Sequence, residues 1–332
     1  MIHLTGLFLV GAVFGGVAQR THFCTMGAIA DFVLFRSTRR LRSWGLALAV
    51  AMVGTQALVA AGAIDLGGVA VPPAGWLGSI LGGAAFGFGM VLAGGCFSRN
   101  LVRLAAGSLK ALFVVLLAAM LAAAAWHGAL SPLARALWSL SPGPLPGPPS
   151  ELAPWGIALA AVLATGCLAD SGFRRARREV VAGLVLGALP PFAWLMVGGP
   201  ADPAAASGLN YALSTAAAAA AFVGAGPAGS AGALVLGTLA GAFLAAATAG
   251  QLRIEAFSTT DDMLRHLSGG VLMGVGGGLA GGCTIGHGLT GLGALAPASL
   301  LAVLTMAAGA AWALRWLQTG SLLGLRRGTN DA

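Results

Sequence analysis

Residues 82–96 read GGAAFGFGMVLAGGC, and residues 269–283 read GGVLMGVGGGLAGGC. The two stretches lie 187 residues apart, 9 of their 15 positions are identical without a gap, and both end in cysteine. Glycine-rich helices resemble one another by chance, but the shared LAGGC ending is harder to explain in that way. We interpret the two stretches as corresponding parts of an internal repeat.

The composition of the 332-residue chain is that of a membrane protein. Hydrophobic residues make up 58%, charged residues only 8%, and the mean hydropathy is +0.88. Soluble domains carry about 25% charged residues. The composition therefore excludes a soluble enzyme, a disordered tail and a disulfide-stapled module. The net charge of +8 comes from short clusters between apolar runs, which is typical of cytoplasmic loops and not of a nucleic-acid-binding face.

Hydropathy predicts nine membrane spans, given that about 20 apolar residues cross a bilayer. The predicted spans are 3–18, 44–63, 77–93, 108–127, 155–170, 180–198, 231–250, 264–280 and 295–314. Shorter apolar stretches, predicted as half-helices or re-entrant segments, are 26–35, 99–105, 212–222 and 286–293. The predicted fold class is an all-α polytopic membrane protein.

The repeat offset relates the spans of the two halves. It carries the first four spans onto the sixth to ninth, so the fifth span is an unmatched connector. Because each partner lies five spans later, the two copies must have opposite orientations. Inverted repeats are typical of transporters, whose substrate sites lie near the midplane at interrupted helices. We predict a first repeat at 1–130, a Pro-rich linker and connector helix at 131–178, and a second repeat at 179–332.

Charge predicts the orientation of the chain in the membrane. The loop FRSTRRLRS (35–43) holds four arginines, whereas its repeat partner GAGPAGS (224–230) holds no charge. With 35–43 in the cytoplasm, every Lys and Arg except Arg135 falls on the cytoplasmic side. This predicts an external N-terminus, a cytoplasmic C-terminus and an external Pro-rich linker at 138–154.

The two repeated stretches also contain the residues with the clearest chemical potential. A thiol is a weak donor with a polarisable sulfur, and the N–H groups that open the following half-helix favour an anion. This combination suits a small anion with a sulfur end, although a buried cysteine is also a common apolar filler. The candidate residues are Gly94, Gly95, Cys96, Gly281, Gly282 and Cys283. The run GVGGGLAGG (274–282) superficially resembles a dinucleotide-binding loop, but small-residue helix packing is the better interpretation.

The two remaining cysteines differ in their surroundings. Cys24 lies in AQRTHFCTMGAIADF, after the first span and before a short helix, where it is either a second cysteine station on the cytoplasmic side or a filler beside a turn. Cys167 lies in the connector span without a repeat partner, and we predict a structural role for it.

Polar neighbours of the repeated cysteines are further candidates. His287 follows Cys283 by one helical turn and is expected to form a hydrogen bond near the pore, the alternative being a soft-metal site. Asn100 occupies the equivalent place in the first copy. Arg99, Arg103 and Lys110 flank Cys96 and either anchor the cytoplasmic side or attract anions to an inner vestibule.

Three motifs resemble those of the YeeE/YedE family: QRTHFCTMGAIADF, LAGGCFSRNLVR and GGVLMGVGGGLAGGCTIGHGLTGL. The resemblance covers essentially the whole chain. It implies an inverted-repeat fold and uptake of thiosulfate or related sulfur compounds, with three path cysteines that match Cys24, Cys96 and Cys283. It also implies a small cytoplasmic sulfur-carrier protein as a partner.

Together these observations predict a bacterial inner-membrane permease that imports thiosulfate or a related sulfur anion through a cysteine relay, without enzymatic activity, cofactor or metal. The alternatives are a membrane sulfurtransferase that carries a persulfide, and a transporter of selenium, another sulfur species or a soft metal. The sequence does not indicate the coupling ion or the oligomeric state.

Overall fold

The structure is a computed structural model that describes residues 2–64, 75–140, 153–197 and 229–320. Within these residues the chain is helical, and its β pairing is a single bridge between Ser108 and Glu255. The predicted short stretch 212–222, most of the linker 138–154 and most of the loop 224–230 lie outside the described residues.

The helices follow one another with short connections. In chain order they are α1 (Ile2–Thr21), α2 (Thr25–Phe35), α3 (Arg39–Ala60), α4 (Gly75–Leu92), α5 (Phe97–Ala105), α6 (Leu109–His127), α7 (Ser131–Ser139), α8 (Ala153–Leu168), α9 (Ser171–Arg175), α10 (Arg177–Val197), α11 (Ser230–Thr248), α12 (Thr260–Ala280), the π-helical π1 (Gly286–Gly291) and α13 (Pro297–Thr319).

Seven helical segments among the described residues are long and apolar enough to cross a membrane, which confirms the all-α polytopic fold. They are His3–Phe35, Arg39–Ala60, Gly75–Ala105, Leu109–His127, Arg177–Met196, Ser230–Thr248 and Pro297–Thr319. The 16-residue α8 is shorter, and α12 is less apolar because of its glycines and its charged first turns. Large apolar side chains such as Met120, Val162 and Leu244 face outward, as a lipid-facing surface requires.

The centre of the molecule is an antiparallel crossing of α4 and α12, made through glycine. A Cβ added to Gly82 would lie 2.6 Å from the backbone oxygen of Gly276, and one added to Gly89 would lie 2.8 Å from that of Gly269. The two contacts are related by the 187-residue offset, since 82 corresponds to 269 and 89 to 276. The glycines of both repeated stretches therefore serve close helix packing, as predicted for GVGGGLAGG.

In the described part of the chain, four pairs of helices pack in parallel, and each pair joins one helix of the first predicted repeat to one of the second. Gly11 of α1 faces Leu234 of α11, and Gly15 faces Thr238 one turn later, so the residue numbers of both helices rise together. Likewise, Gly183 and Gly187 of α10 face Ser43 and Ala47 of α3, so the residue numbers of these two helices also rise together. Helices α4 and α13 form a third parallel pair, and α12 and α6 form a fourth.

Charged side chains of distant segments meet at one end of the helix bundle. Arg39 pairs with Glu179 at 3.8 Å, Arg40 with Asp31 at 3.3 Å and Arg42 with Asp170 at 3.8 Å. A second group of ion pairs joins the end of α5 and the start of α6 to the loop before α12 and to the first turn of α12: Arg103 to Glu255, Lys110 to Glu255 and Lys110 to Asp262. Such clustering leaves the rest of the described surface suited to lipid.

We predict that Gly89→Val strongly destabilises the fold. Its side chain would meet backbone atoms of Gly269 and Met273 that cannot move aside, and overpacking of this kind costs about 1–3 kcal/mol. The measurement is the melting midpoint of the detergent-solubilised protein. Gly166→Val is the matched control, because no atom lies within 4 Å of a Cβ at Gly166 of α8. Equal midpoints for the two variants would contradict the glycine crossing.

Candidate functional site

Three cysteines each stand at the start of a short helix. Cys24 precedes α2 and Cys96 precedes α5, and both are N-cap residues with extended backbone. Cys283 precedes the helical turn that leads into π1. The carbonyl of each cysteine accepts the first helical hydrogen bond, from Ala28 at 3.0 Å, Asn100 at 3.0 Å and His287 at 2.9 Å respectively. The free N–H groups and positive dipole end of three helices are thus directed at three thiols.

The predicted glycine breaks lie immediately before two of these cysteines. Gly94 and Gly281 adopt left-handed backbone with φ of +68° and +82°. In each break the next glycine donates back to the ending helix, Gly95 to Met90 and Gly282 to Gly277, both at 2.9 Å. These are the bonds of a Schellman cap, which satisfies the last carbonyls of a helix that stops early.

One side chain from each new helix reinforces each break. Asn100 donates from Nδ2 to the carbonyl of Gly95 at 2.9 Å. His287 occupies the equivalent place, with Nε2 3.1 Å from the carbonyl of Ala280 and Nδ1 3.1 Å from the hydroxyl of Ser299. Since a carbonyl only accepts, Nε2 of His287 carries a proton. His287 thus forms hydrogen bonds in the structure, and its place beside a pore stays a prediction.

The three thiols share one buried cluster. The side chains of Cys24, Cys96 and Cys283 are 9%, 1% and 0% exposed and belong to the same hydrophobic core. The sulfur atoms of Cys24 and Cys96 are 3.9 Å apart, within the range of an S–H···S contact. The sequence around Cys24 predicted either a second cysteine station on the cytoplasmic side or a filler beside a turn, and the structure places its sulfur against that of Cys96.

Trp44 of α3 connects the Cys24 region to the Cys283 region. Its indole N–H donates to the hydroxyl of Thr25 at 3.1 Å, next to Cys24. Its ring also lies over Gly288 of π1, where an added Cβ would collide with it. A rigid aromatic side chain thus holds two of the three short helices at a set spacing.

Arg99 differs from the other cations near the cysteines. It interacts electrostatically with both Cys24 and Cys96, and Gly95 leaves room for its aliphatic part, since an added Cβ would lie 3.0 Å from Arg99 Cγ. Its Nη2 lies 3.1 Å from His22 Nδ1. Its Nη1 is buried without a hydrogen-bond partner among the described residues, and no described carboxylate forms an ion pair with it.

Arg103 and Lys110, by contrast, are bound by carboxylates. Arg103 contacts Glu255 at 2.8 Å, and Lys110 contacts Asp262 at 2.8 Å. Although partial burial of Glu255 opposes its ionisation, hydrogen bonds from Arg103 and Ser108 outweigh that effect and hold its pKa below the ordinary value. Of the three cations considered around Cys96, Arg99 is the one without a carboxylate partner in the described part of the chain.

Cys167 lies outside the buried cluster. It is partly exposed on α8 and packs against α3, where a Cβ on Gly45 would lie 2.9 Å from its sulfur. This position is consistent with the predicted structural role.

The described residues contain no group of three or more His, Cys, Asp and Glu side chains that could hold a metal. Both ring nitrogens of His287 are already bonded, and Nε2 is protonated. The pair formed by Cys283 and His287 therefore does not fit a soft-metal site in this arrangement.

Sequence reasoning did not single out three polar groups near the thiols: His22, Thr25 and Thr284. The hydroxyl of Thr284, directly after Cys283, is buried and has no hydrogen-bond partner among the described residues. His22 and Thr25 flank Cys24 in sequence, and that adjacency was the only available signal.

Comparisons with known proteins show which family the sequence belongs to. The family model described as "Sulphur transport" matches the chain twice, over residues 20–169 and 156–312. The chain belongs to the YeeE/YedE family of sulfur transport proteins. It is 31% identical to the thiosulfate transporter TsuA of Spirochaeta thermophila, over 94% of this chain and 98% of that protein. It is 28% identical to the thiosulfate transporter TsuA of Escherichia coli, over 95% of this chain and 94% of that protein.

We predict that Gly94→Ala and Gly281→Ala each lower stability by about 1–2 kcal/mol, because left-handed backbone brings a Cβ against the carbonyl that follows it. Gly94→Asn should cost less, since Asn tolerates this conformation. Melting midpoints of the purified variants provide the measurement, with Gly166→Ala as the control. If the alanine variants melt like the control, the breaks do not depend on left-handed glycine.

Proposed function

We propose that this protein imports thiosulfate or a closely related sulfur anion across the bacterial inner membrane, through a relay of Cys283, Cys96 and Cys24. The observation that carries the proposal is the convergence of three buried thiols, each at the N-terminus of a short helix, with two sulfurs 3.9 Å apart. The relatives named thiosulfate transporters support the choice of substrate.

The chemistry of the site suits an anion with one sulfur end and one oxygen end. A thiol donates a weak S–H bond that a polarisable terminal sulfur accepts. The oxygens of the same anion require stronger donors. Two such donors lie within three residues of a path cysteine and are buried without a hydrogen-bond partner in the described part of the chain: Nη1 of Arg99 and the hydroxyl of Thr284. The helix N–H groups beside each cysteine add favourable dipoles.

Transport by this route requires no covalent bond. Conduction needs sites that bind well enough to admit the ion and weakly enough to release it, and several weak sites in a row meet that condition. The anion would meet Cys283 first, then Cys96, and then Cys24 beside Arg99. Release to a small cytoplasmic sulfur-carrier protein belongs to the same proposal.

The inverted repeat is part of the proposal, and several features support it. The two breaks, the α4–α12 glycine contacts and the pair Asn100 and His287 all recur at the same 187-residue offset. If successive spans cross the membrane in alternating directions, odd-numbered spans run one way and even-numbered spans run the other way. Each of the four parallel helix pairs joins two odd-numbered or two even-numbered spans of the predicted nine. The family model matches once in each half.

The proposed orientation is an external N-terminus and a cytoplasmic C-terminus. Support comes from the single charged end of the bundle, where the segments predicted as cytoplasmic loops form their ion pairs. In this orientation Cys24 lies toward the cytoplasm and Cys283 toward the outside.

We predict that Cys96→Ala and Cys283→Ala each lower thiosulfate uptake several-fold, because each removes one contact to the anion and even an ordinary hydrogen bond contributes only about 0.5–1.5 kcal/mol. Uptake of labelled thiosulfate by cells that lack other sulfate and thiosulfate importers is the measurement. Cys167→Ala is the matched control and should transport normally. Normal uptake by both variants at equal membrane abundance would overturn the relay.

The sulfurtransferase alternative predicts that one cysteine gains the mass of a sulfur atom after incubation with thiosulfate. A relay of non-covalent contacts predicts unchanged masses for Cys24, Cys96 and Cys283. Intact-protein and peptide mass spectrometry under non-reducing conditions separates these outcomes.

The proposed orientation predicts that a fluorescent protein fused after residue 332 folds and fluoresces in the cytoplasm. Alkaline phosphatase inserted between residues 141 and 152 should be active, because this enzyme matures only outside the cytoplasm. The opposite pattern of reporters would reverse the orientation and the order of the relay.

A further inference from the structure

A cavity of about 150 Å³ lies next to Cys24 at the charged end of the bundle. Four elements form its walls: the turn after α1, the start of α3, the start of α10 and Cys24 itself. The polar groups on these walls belong to Thr21, His22, Arg40, Ser43, Arg178 and Glu179. The cavity therefore borders Cys24 on one side and is lined with charged groups on the other.

The charges around the cavity do not cancel. Arg40 forms an ion pair with Asp31 at 3.3 Å, and Glu179 forms one at 3.8 Å with Arg39, which does not line the cavity. Arg178 forms no ion pair with any carboxylate that the structure describes. With Arg99 behind His22, the cavity keeps an excess of positive charge beside a buried thiol.

His22 links the cavity to Arg99. The Nη2 of Arg99 lies 3.1 Å from Nδ1 of His22, and a guanidinium only donates hydrogen bonds. Nδ1 must therefore accept, which requires the neutral imidazole protonated at Nε2. His22 also has a left-handed φ of 54°, a conformation uncommon outside glycine. Neutral His22 thus orients Arg99 while its own ring faces the cavity.

We propose that this cavity is an anion-binding exit station for a tetrahedral sulfur oxyanion, with His22 as the residue that positions Arg99. This inference rests on the proposed function, because it describes how the anion leaves the Cys24–Cys96 pair. The oxyanion end is held by Arg99 and Arg178, and the sulfur end remains against Cys24.

The geometry makes the exit station sensitive to cytoplasmic pH. Protonation of His22 removes the acceptor and places a cation against Arg99. The groups that face His22 are Arg99 on α5, Arg40 on α3, Arg178 and Glu179 on α10, and the Cys24 thiol. An ordinary imidazole changes charge near about pH 6.5, so protonation of His22 should weaken binding as the pH falls through and below that value.

The first test is thiosulfate uptake by cells whose cytoplasmic pH is lowered from about 7.5 to about 5.5 with a permeant weak acid. Wild-type uptake should fall with pH. His22→Ala should lower uptake about tenfold at the higher pH, through loss of a hydrogen bond to a charged group. His22→Asn keeps an acceptor and tolerates positive φ, so it should recover part of that loss and abolish the pH dependence. His266→Asn is the control and should keep the wild-type pH dependence.

The second test uses inside-out vesicles and alkylation of Cys24 by a small thiol reagent. Thiosulfate is the probe, and it should slow the alkylation of Cys24 in the wild-type protein and in the control variant Arg177→Gln. In Arg178→Gln, thiosulfate should protect Cys24 several-fold less. Arg177 adjoins Arg178 in sequence but does not line the cavity.

The outcomes separate the two proposals. If cells that carry the wild-type protein and lack other importers take up no thiosulfate, the proposed function fails. If they take it up normally while His22→Asn keeps the wild-type pH dependence, or while Arg178→Gln is protected as well as wild type, the exit station is wrong and the relay can stand.

Discussion

A peptide group inside a bilayer has no water to bind, so every backbone donor and acceptor must find its partner within the protein. Two helices of this protein nevertheless stop in its interior, after Leu92 and after Ala280. Left-handed glycine closes each end with a Schellman cap, and Asn100 and His287 bind the carbonyls beside the breaks. The rest of the site depends on this solution. A helix that stops allows another to start, and the new helix presents free N–H groups at a cysteine.

The small number of charged residues, and their location, follow from the same constraint. With 8% charged residues, the chain concentrates its cations at one end of the bundle, and most of those near the thiols are matched to carboxylates. Arg99 and Arg178 are exceptions, and one nitrogen of Arg99 is in addition buried without a hydrogen-bond partner in the described part of the chain. A buried, unpaired cation is costly in this environment, and such residues usually mark an ion path. The arrangement is understandable if a passing anion supplies the missing partner.

The success of sequence reasoning varied with the range of the interactions involved. The breaks at Gly94 and Gly281 were predictable because a glycine pair and a following cysteine recur in both halves. The contact between Cys24 and Cys96 was not, because Cys24 has no cysteine at the equivalent place in the second half. It is created when α2 packs on α4 and α13, which are distant in sequence, as well as on the neighbouring α3. The pairing of Arg103 with Glu255 likewise joins residues 152 positions apart, so composition near Cys96 overstated the free positive charge there.

The sequence by itself determined that this is a polytopic helical membrane protein, where its helices break, and which family it resembles. These features are local: hydropathy over about 20 residues, glycine at positions of positive φ, and motifs that can be read in order. Only the tertiary structure decided which thiols touch, which cations stay unpaired, and that His22 holds Arg99 beside a cavity. These features depend on how helices from both halves pack in three dimensions, and a linear pattern does not contain the distances that packing sets.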